Sequence, residues 1–300
     1  MPPPASYLAL PVDVVNPRDL GHGETGVHAG DPDYPWHLLA EGDSWFTIAA
    51  IPSSNLLFEL RLGRWAQVLN LAYPGDTLRR VGDLVANVDL DQQLAQRNFN
   101  TAWDALLLSV GGNDVIAAAP VLIRRAPGTG ADPALPESYV DAPALEALLQ
   151  EIQQGCGRIV ALRDSADSKS RGCPVLVHTY DYVTPRNAPA RFIGLVHMRG
   201  PWLYQAFAGS GLHIGLQQGI ADLLIDRLAA ALLELDAGNT ASGKALSGFH
   251  VVDTRNTLVR ANPADVGNSN DWLNEIHPNL WGYRKIAARL SAAINEVLLG

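Results

Sequence analysis

Four short blocks of the chain hold residue types that can carry out nucleophilic chemistry. They are Glu41-Gly42-Asp43-Ser44-Trp45, Tyr73-Pro74-Gly75-Asp76, Gly111-Gly112-Asn113-Asp114 and Asn274-Glu275-Ile276-His277-Pro278. A serine in the turn after a strand exposes its Oγ to attack a carbonyl, and its own N–H, close to a helix start, can donate to the oxyanion that forms. Gly75 can take a positive φ that brings its N–H near a ligand. The Asn113 amide, behind two glycines, is a further oxyanion donor. Pro278 suits a first helical position, which sets His277 at a helix entrance. There the positive end of the dipole disfavours imidazolium and keeps a neutral ring available as a base. Taken singly, each has a plainer reading: a capping serine, a turn glycine, an Asn-Asp turn and a structural histidine.

These side chains need a scaffold, and the hydropathy pattern supplies one. Short apolar runs bounded by Gly, Asp or Pro recur at residues 37–40, 65–72, 105–110, 174–178 and 249–252, the signature of buried strands. Helical spacing marks residues 55–61, 77–85, 145–163, 214–235 and 278–299. Strands apolar on both faces that alternate with helices predict a mostly parallel sheet of about five strands in a three-layer α/β/α sandwich. In such a sheet ligands sit beyond the carboxyl ends of the strands, where the first three blocks fall. No Pro/Gly/Ser-rich linker divides the chain, so residues 1–300 are expected to form a single domain. Residues 120–143 and 181–212 break the alternation and read as inserted loops. The second holds Phe192, Met198, Trp202, Tyr204 and Phe207, a substrate wall or lid, or else a satellite cluster on the core.

Gly-Asp-Ser, then Asn with Gly five residues on, then Gly-x-Asn-Asp, then His-Pro before a last helix, in that order, resembles the SGNH (GDSL-type) hydrolase family. The resemblance runs from Leu38 to the C-terminus. It implies a flavodoxin-like α/β/α fold and a carboxylic ester hydrolase of esterase or lipase type. Ser44 would be its nucleophile and His277 its general base. The Ser44 N–H, the Gly75 N–H and the Asn113 side chain would form the oxyanion hole. Trp45, Tyr73 and Trp202 stand as candidate substrate contacts.

One position departs from the family pattern. Three residues before the histidine the family usually carries aspartate, and this chain has Asn274. An amide oxygen can orient the imidazole but brings no negative charge, and Asp to Asn in a serine triad can cost about 10⁴ in kcat when the tautomer is wrong. Asn274 is the first choice for the third group, with Asp271 or a main-chain carbonyl as the others, while Glu275 is expected to point away. The alternatives to an ester hydrolase are a binding or scaffolding protein with a weakened triad, or a carbohydrate O-acyl esterase.

Composition narrows the remaining classes. With 22 Lys+Arg against 31 Asp+Glu there is no basic stripe for nucleic acid or an anionic membrane, and 47% hydrophobic residues argue against disorder. No run is long and apolar enough for a membrane span, and Met1 to Leu20 lacks the pattern of a signal peptide, so the expected location is cytoplasmic. Cys156 and Cys173 are expected to be free thiols. No metal or cofactor is called for: His22, His28 and His37 lack zinc-site spacing, and the glycines from Gly21 to Gly26 match G-x-G-x-x-G without the strand and helix that motif needs. The expected partner is a small-molecule ester. Trp272 and Trp281 flank His277 and are expected to pack beneath its loop.

Overall fold

The computed structural model describes residues 9–21, 28–47, 54–81, 87–191 and 198–300. In chain order the strands and helices are β1 (Leu10–Pro11), β2 (Asp13–Val15), β3 (Trp36–Gly42), β4 (Arg61–Leu62), β5 (Ala66–Asn70), α1 (Leu78–Val81), α2 (Val88–Leu94), β6 (Ala105–Ser109) and α3 (Gly112–Leu122). There follow α4 (Ala142–Arg163), β7 (Val175–His178), β8 (Ala190–Arg191), β9 (Met198–Arg199), α5 (Leu203–Ala206), α6 (Ile214–Leu233), β10 (Phe249–Val252) and α7 (Leu280–Leu299). Six strands form one parallel sheet in the order β10-β7-β6-β3-β5-β2. Leu38, Leu39 and Ala40 of β3, Val68 and Leu69 of β5, and Leu106 to Leu108 of β6 are all buried, because helices cover both faces of a parallel sheet. On one side α1, α3, α4 and α6 pack on one another. The last helix, α7, packs with β4 and β10.

The chain leaves β3 for β5 on one side and then returns for β6 on the other, so the carboxyl ends of β3 and β6 lie at the topological switch point, where a crevice opens. There Gly42 pairs with Ser109. Gly42 has φ +142°, and a Cβ on it would stand 2.2 Å from the Ser109 carbonyl oxygen. Only glycine allows the strands to approach so closely just before the Ser44 turn.

The five predicted strands form close to their expected bounds. The sixth, β2, was not foreseen: its three residues carry no long apolar run and belong to the sheet through pairing with β5. Residues 55–61 are not helical. Asn55 Oδ1 accepts the Phe58 N–H at 3.1 Å and closes a turn, and Arg61–Leu62 then pair with Leu10–Pro11. Three helices were missed, one of them the four-residue α5 (Leu203–Ala206) within the expected loop 181–212. In α3 the Gly-Gly-Asn-Asp stretch reads as a turn, yet Gly111 at φ +94° caps a helix whose last turn contains Pro120. In α2 the Asn87 side chain caps the first turn through Leu90 N at 3.1 Å. The expected helix over 77–85 is α1 as far as Val81; residues 82–85, like 22–26 of the glycine-rich stretch and Phe192, lie outside the described residues. Pro278 is not the first helical residue, since Asn279 is the N-cap of α7 and accepts from Trp281 N and Gly282 N at 3.0 and 3.1 Å.

Candidate active site

Ser44 lies in the turn directly after β3, where the N–H of Trp45 donates to Asp43 Oδ1 at 3.0 Å. Asp43 is buried, which pushes its pKa up to about 6, and it accepts Ser109 Oγ–H at 2.6 Å and the Tyr180 hydroxyl at 2.5 Å. The serine turn is thereby held to the ends of β6 and β7. Tyr180 takes a positive φ of 64° to deliver its ring.

His277 arrives from the other end of the chain on a tight loop. Trp272 bridges to both Ser269 and Pro278, and the N–H of Leu273 donates to the His277 carbonyl at 2.9 Å. The Glu275 N–H donates to Ala188 O at 2.9 Å, and Arg186 Nη2 to Asn274 O at 2.6 Å, so the loop is anchored on its outer side. The result is a contact between residues 233 positions apart: Ser44 Oγ stands 2.7 Å from His277 Nε2.

Asn274 Oδ1 lies 3.0 Å from His277 Nδ1, and it also accepts two backbone N–H groups, from Ile276 at 3.1 Å and His277 at 2.9 Å. Backbone N–H groups only donate, so the atom facing them must be the amide oxygen, not the nitrogen. The ring nitrogen facing the same oxygen must then carry the proton. His277 is therefore the Nδ1–H tautomer, with Nε2 free to accept from Ser44 Oγ–H. Burial pushes the His277 pKa down to about 4, so the ring is neutral. Burial, and not the dipole of α7, is the cause, because α7 begins at Leu280.

The other sequence candidates are placed as follows. Tyr73-Pro74-Gly75-Asp76 closes through Asp76 N to Tyr73 O at 3.1 Å, with proline second and Gly75 at φ +88° third, the preference of a type II turn. Tyr73 N donates to Gly42 O at 3.0 Å, which sets this turn beside the strand that leads to Ser44. Asn113 Nδ2 donates to Asp76 O at 2.9 Å. That bond uses one of the two amide hydrogens and fixes the direction of the other. Ser44, Trp45 and Asn113 line one pocket, together with Asp43, Tyr180 and apolar side chains of α3 and α6.

Trp202 meets the His277 ring edge-on, with centroids 5.7 Å apart, but does not line that pocket; Leu203 beside it does. Tyr73 is 60% exposed, lies under Arg80 and is not part of the pocket lining either. Asp271 is turned away, its carboxylate bound to Lys285 Nζ at 2.5 Å and Val259 N at 2.6 Å. Glu275 also points away, accepting from the N–H groups of Trp202, Leu203 and Tyr204; burial pushes its pKa up to about 7. Trp272 is fully buried and packs edge-on to Trp45, whereas Trp281 is 63% exposed with Arg284 over its ring, so only the first packs beneath the loop. Among the described residues no group of three His, Cys, Asp or Glu side chains is arranged to hold a metal ion, and Cys156 and Cys173 are free thiols.

Sequence reasoning missed Ser109, His178, Tyr180 and Arg186, and gave Asp43 no role. Ser109 and His178 end predicted strands and so carried a positional signal; nothing in the sequence marks Tyr180, whose place depends on a left-handed backbone.

No protein-family model and no curated protein sequence matches the chain. Solved structures similar to it include the extracellular lipase from Streptomyces rimosus, at 15% identity over 87% of this chain and 98% of the lipase, with a TM-score of 0.45. The aryl esterase of M. smegmatis is 14% identical over 87% of this chain and 98% of its own, with a TM-score of 0.44. An acetyl xylan esterase is 12% identical over 85% and 98%, with a TM-score of 0.42.

Proposed function

We propose that this chain is a serine hydrolase of carboxylic esters of the SGNH type. The observation that carries the reading is the hydrogen-bond relay from Ser44 Oγ through the His277 ring to Asn274 Oδ1, with the tautomer set by two backbone N–H groups. In the first half-reaction His277 Nε2 takes the Ser44 proton while Oγ bonds to the acyl carbon, and the carbonyl oxygen becomes an oxyanion. The Ser44 N–H, the Gly75 N–H and the free N–H of Asn113 are its donors. Imidazolium then returns the proton to the departing alcohol oxygen as the ester bond breaks. Water repeats the sequence on the acyl-enzyme and releases the acid.

The missing charge at position 274 is compatible with this route. The tautomer penalty of an Asp to Asn change arises when the amide presents its nitrogen or rotates. Here the oxygen is held toward Nδ1 by the Ile276 and His277 N–H groups, so orientation is kept and only the electrostatic support of imidazolium is weaker.

Hydrolysis of p-nitrophenyl acetate and butyrate, together with labelling by an alkyl phosphonate, tests the reading. The expected result is turnover and a single adduct on Ser44, both absent in Ser44→Ala. Neither turnover nor labelling in the native chain would turn the reading toward a binding protein on the same fold.

A further inference from the structure

Ser44 and Asn113 line one pocket, and the turn that carries Gly75 is not part of its lining. Ile116 of α3 and Ala221, Leu224 and Ile225 of α6 supply its walls, so it is a slot between these two helices. Among the described residues the other polar side chains that line it already have partners: Asp43 and the Tyr180 hydroxyl are bound to each other at 2.5 Å, and Trp45 Nε1 donates to Ile276 O at 3.2 Å. The cavity volume of the slot is about 30 Å³, two to three times the roughly 10–15 Å³ that one water requires.

Resting on the ester-hydrolase reading, we propose that this slot is the acyl subsite and that it selects short, unsubstituted, straight apolar acyl chains. The alternative occupant would be the alcohol, and the order of events excludes it. The alcohol must leave, and water must reach His277 Nε2, while the acyl group remains on Ser44 Oγ. A narrow apolar slot suits the part that stays through both half-reactions. Tyr73, Pro74 and Gly75 are exposed, and on this proposal the alcohol leaves and water enters on their side. Each methylene that enters an apolar site is worth roughly fourfold in affinity, so kcat/KM rises over the first few carbons. Beyond that length Ile116 or Ile225 must move, and the gain reverses.

The test uses the full chain and two ester series: p-nitrophenyl acetate, butyrate and octanoate, and acetates of phenol, naphthol and p-nitrophenol. Native protein is expected to favour butyrate over octanoate by at least tenfold in kcat/KM. Ile225→Ala and Ile116→Ala are each expected to raise the octanoate-to-acetate ratio about tenfold. Ala221→Leu is expected to lower the butyrate-to-acetate ratio about tenfold. The profile across the alcohol series should be the same in all four proteins. Ile116 is only half-buried, so Ile116→Ala reports on the slot even where Ile225→Ala perturbs folding. If turnover depends on Ser44 but the acyl profile is the same in every variant, or the substitutions change the alcohol series, the acyl assignment falls and the ester reading stands. If no ester is turned over and no phosphonate labels Ser44, both fall.

Discussion

Among the described residues two buried serine–histidine pairs run in opposite directions. Ser44 Oγ lies 2.7 Å from His277 Nε2, and Ser109 Oγ lies 2.9 Å from His178 Nε2. Both rings are neutral because burial pushes their pKa values down, to about 4 for His277 and about 3 for His178. The third partners differ. His277 Nδ1 faces an oxygen, so it carries the proton and Nε2 accepts from Ser44. His178 Nδ1 accepts the N–H of Tyr180 at 3.3 Å, so the proton is on Nε2 and is donated to Ser109, whose own hydrogen goes to Asp43 Oδ1 at 2.6 Å. One histidine accepts from a serine and, in the proposed mechanism, removes its proton; the other donates to a serine and holds it in place. Proximity of serine and histidine therefore does not make a nucleophile, and the group behind the ring decides the direction of the proton.

The largest expected effect breaks the comparison at its serines. Ser44→Ala should lower kcat for a p-nitrophenyl ester by about 10⁵-fold or more, the order seen when a triad serine is lost. Ser109→Ala should keep kcat within about tenfold and instead lower stability by about 1–3 kcal/mol, because His178 Nε2–H and Asp43 lose a buried partner. Urea unfolding beside steady-state rates reads both. Equal losses of kcat in the two variants would mean that the Ser109 pair takes part in the chemistry.

Next in size is Asn113, which the proposed mechanism uses as a donor beside Ser44. Asn113→Ala should cost about 10²–10³ in kcat with little change in KM, the cost of one oxyanion donor. Since Asn113 Nδ2 also holds Asp76 O, the variant loosens the Gly75 turn, and the loss should fall at the upper end of that range. A rise in KM alone would make Asn113 a ground-state contact.

How far this arrangement could be read in the sequence follows from the distances over which each part is determined. Strand runs such as 105–110 were legible, as were the placement of Ser44 and Asn113 at one pocket and the approach of His277 to Ser44, because hydrophobic periodicity, the residue following a strand and the residues before a last helix are local properties; Gly75 is not in that pocket's lining. The Asn274 orientation was not legible. It depends on the N–H groups of Ile276 and His277 turning back onto one side-chain oxygen, a loop conformation fixed by Trp272, Ala188 and Arg186 from distant parts of the chain. The Ser109–His178 pair was hidden for the same reason: its direction is set by the backbone of Tyr180. Of the three aromatic candidates Trp45 lines the slot while Tyr73 and Trp202 do not, because the rest of its wall is built from the aliphatic faces of α3 and α6, which read as ordinary core.

A smaller change sharpens what the third group supplies. Asn274→Asp keeps an oxygen for both N–H groups and for Nδ1–H and adds a charge, which favours imidazolium and raises the His277 pKa. Only the neutral ring acts as a base, so kcat/KM falls as pH drops through that pKa. The acid limb is expected near pH 4 in the native protein and at higher pH in Asn274→Asp, with kcat at neutral pH raised up to about tenfold. Asn274→Leu leaves the two N–H groups and Nδ1–H without their acceptor, and should lower kcat about 10²-fold or more. Unmoved acid limbs in both variants would separate position 274 from the base.

The smallest effect tests the structural pair through Asp43. Its pKa in the fold, about 6, is above the ordinary value of 3.8 because burial outweighs the hydrogen bonds from Ser109, Tyr180 and Trp45. The folded protein then holds that proton more tightly than the unfolded chain does. Asp43's contribution to stability is accordingly full below pH about 4 and falls as pH rises toward 6. Tyr180→Phe removes a donor that stabilises the carboxylate, so the Asp43 pKa should rise further and the falling window should extend above pH 6. The expected loss is about 1–3 kcal/mol at neutral pH, shrinking toward pH 4, where a protonated Asp43 no longer requires the donor. Urea denaturation of both proteins from pH 4 to pH 8 measures it, and a difference independent of pH would place the cost of the variant in packing around the Tyr180 ring and not in the charge on Asp43.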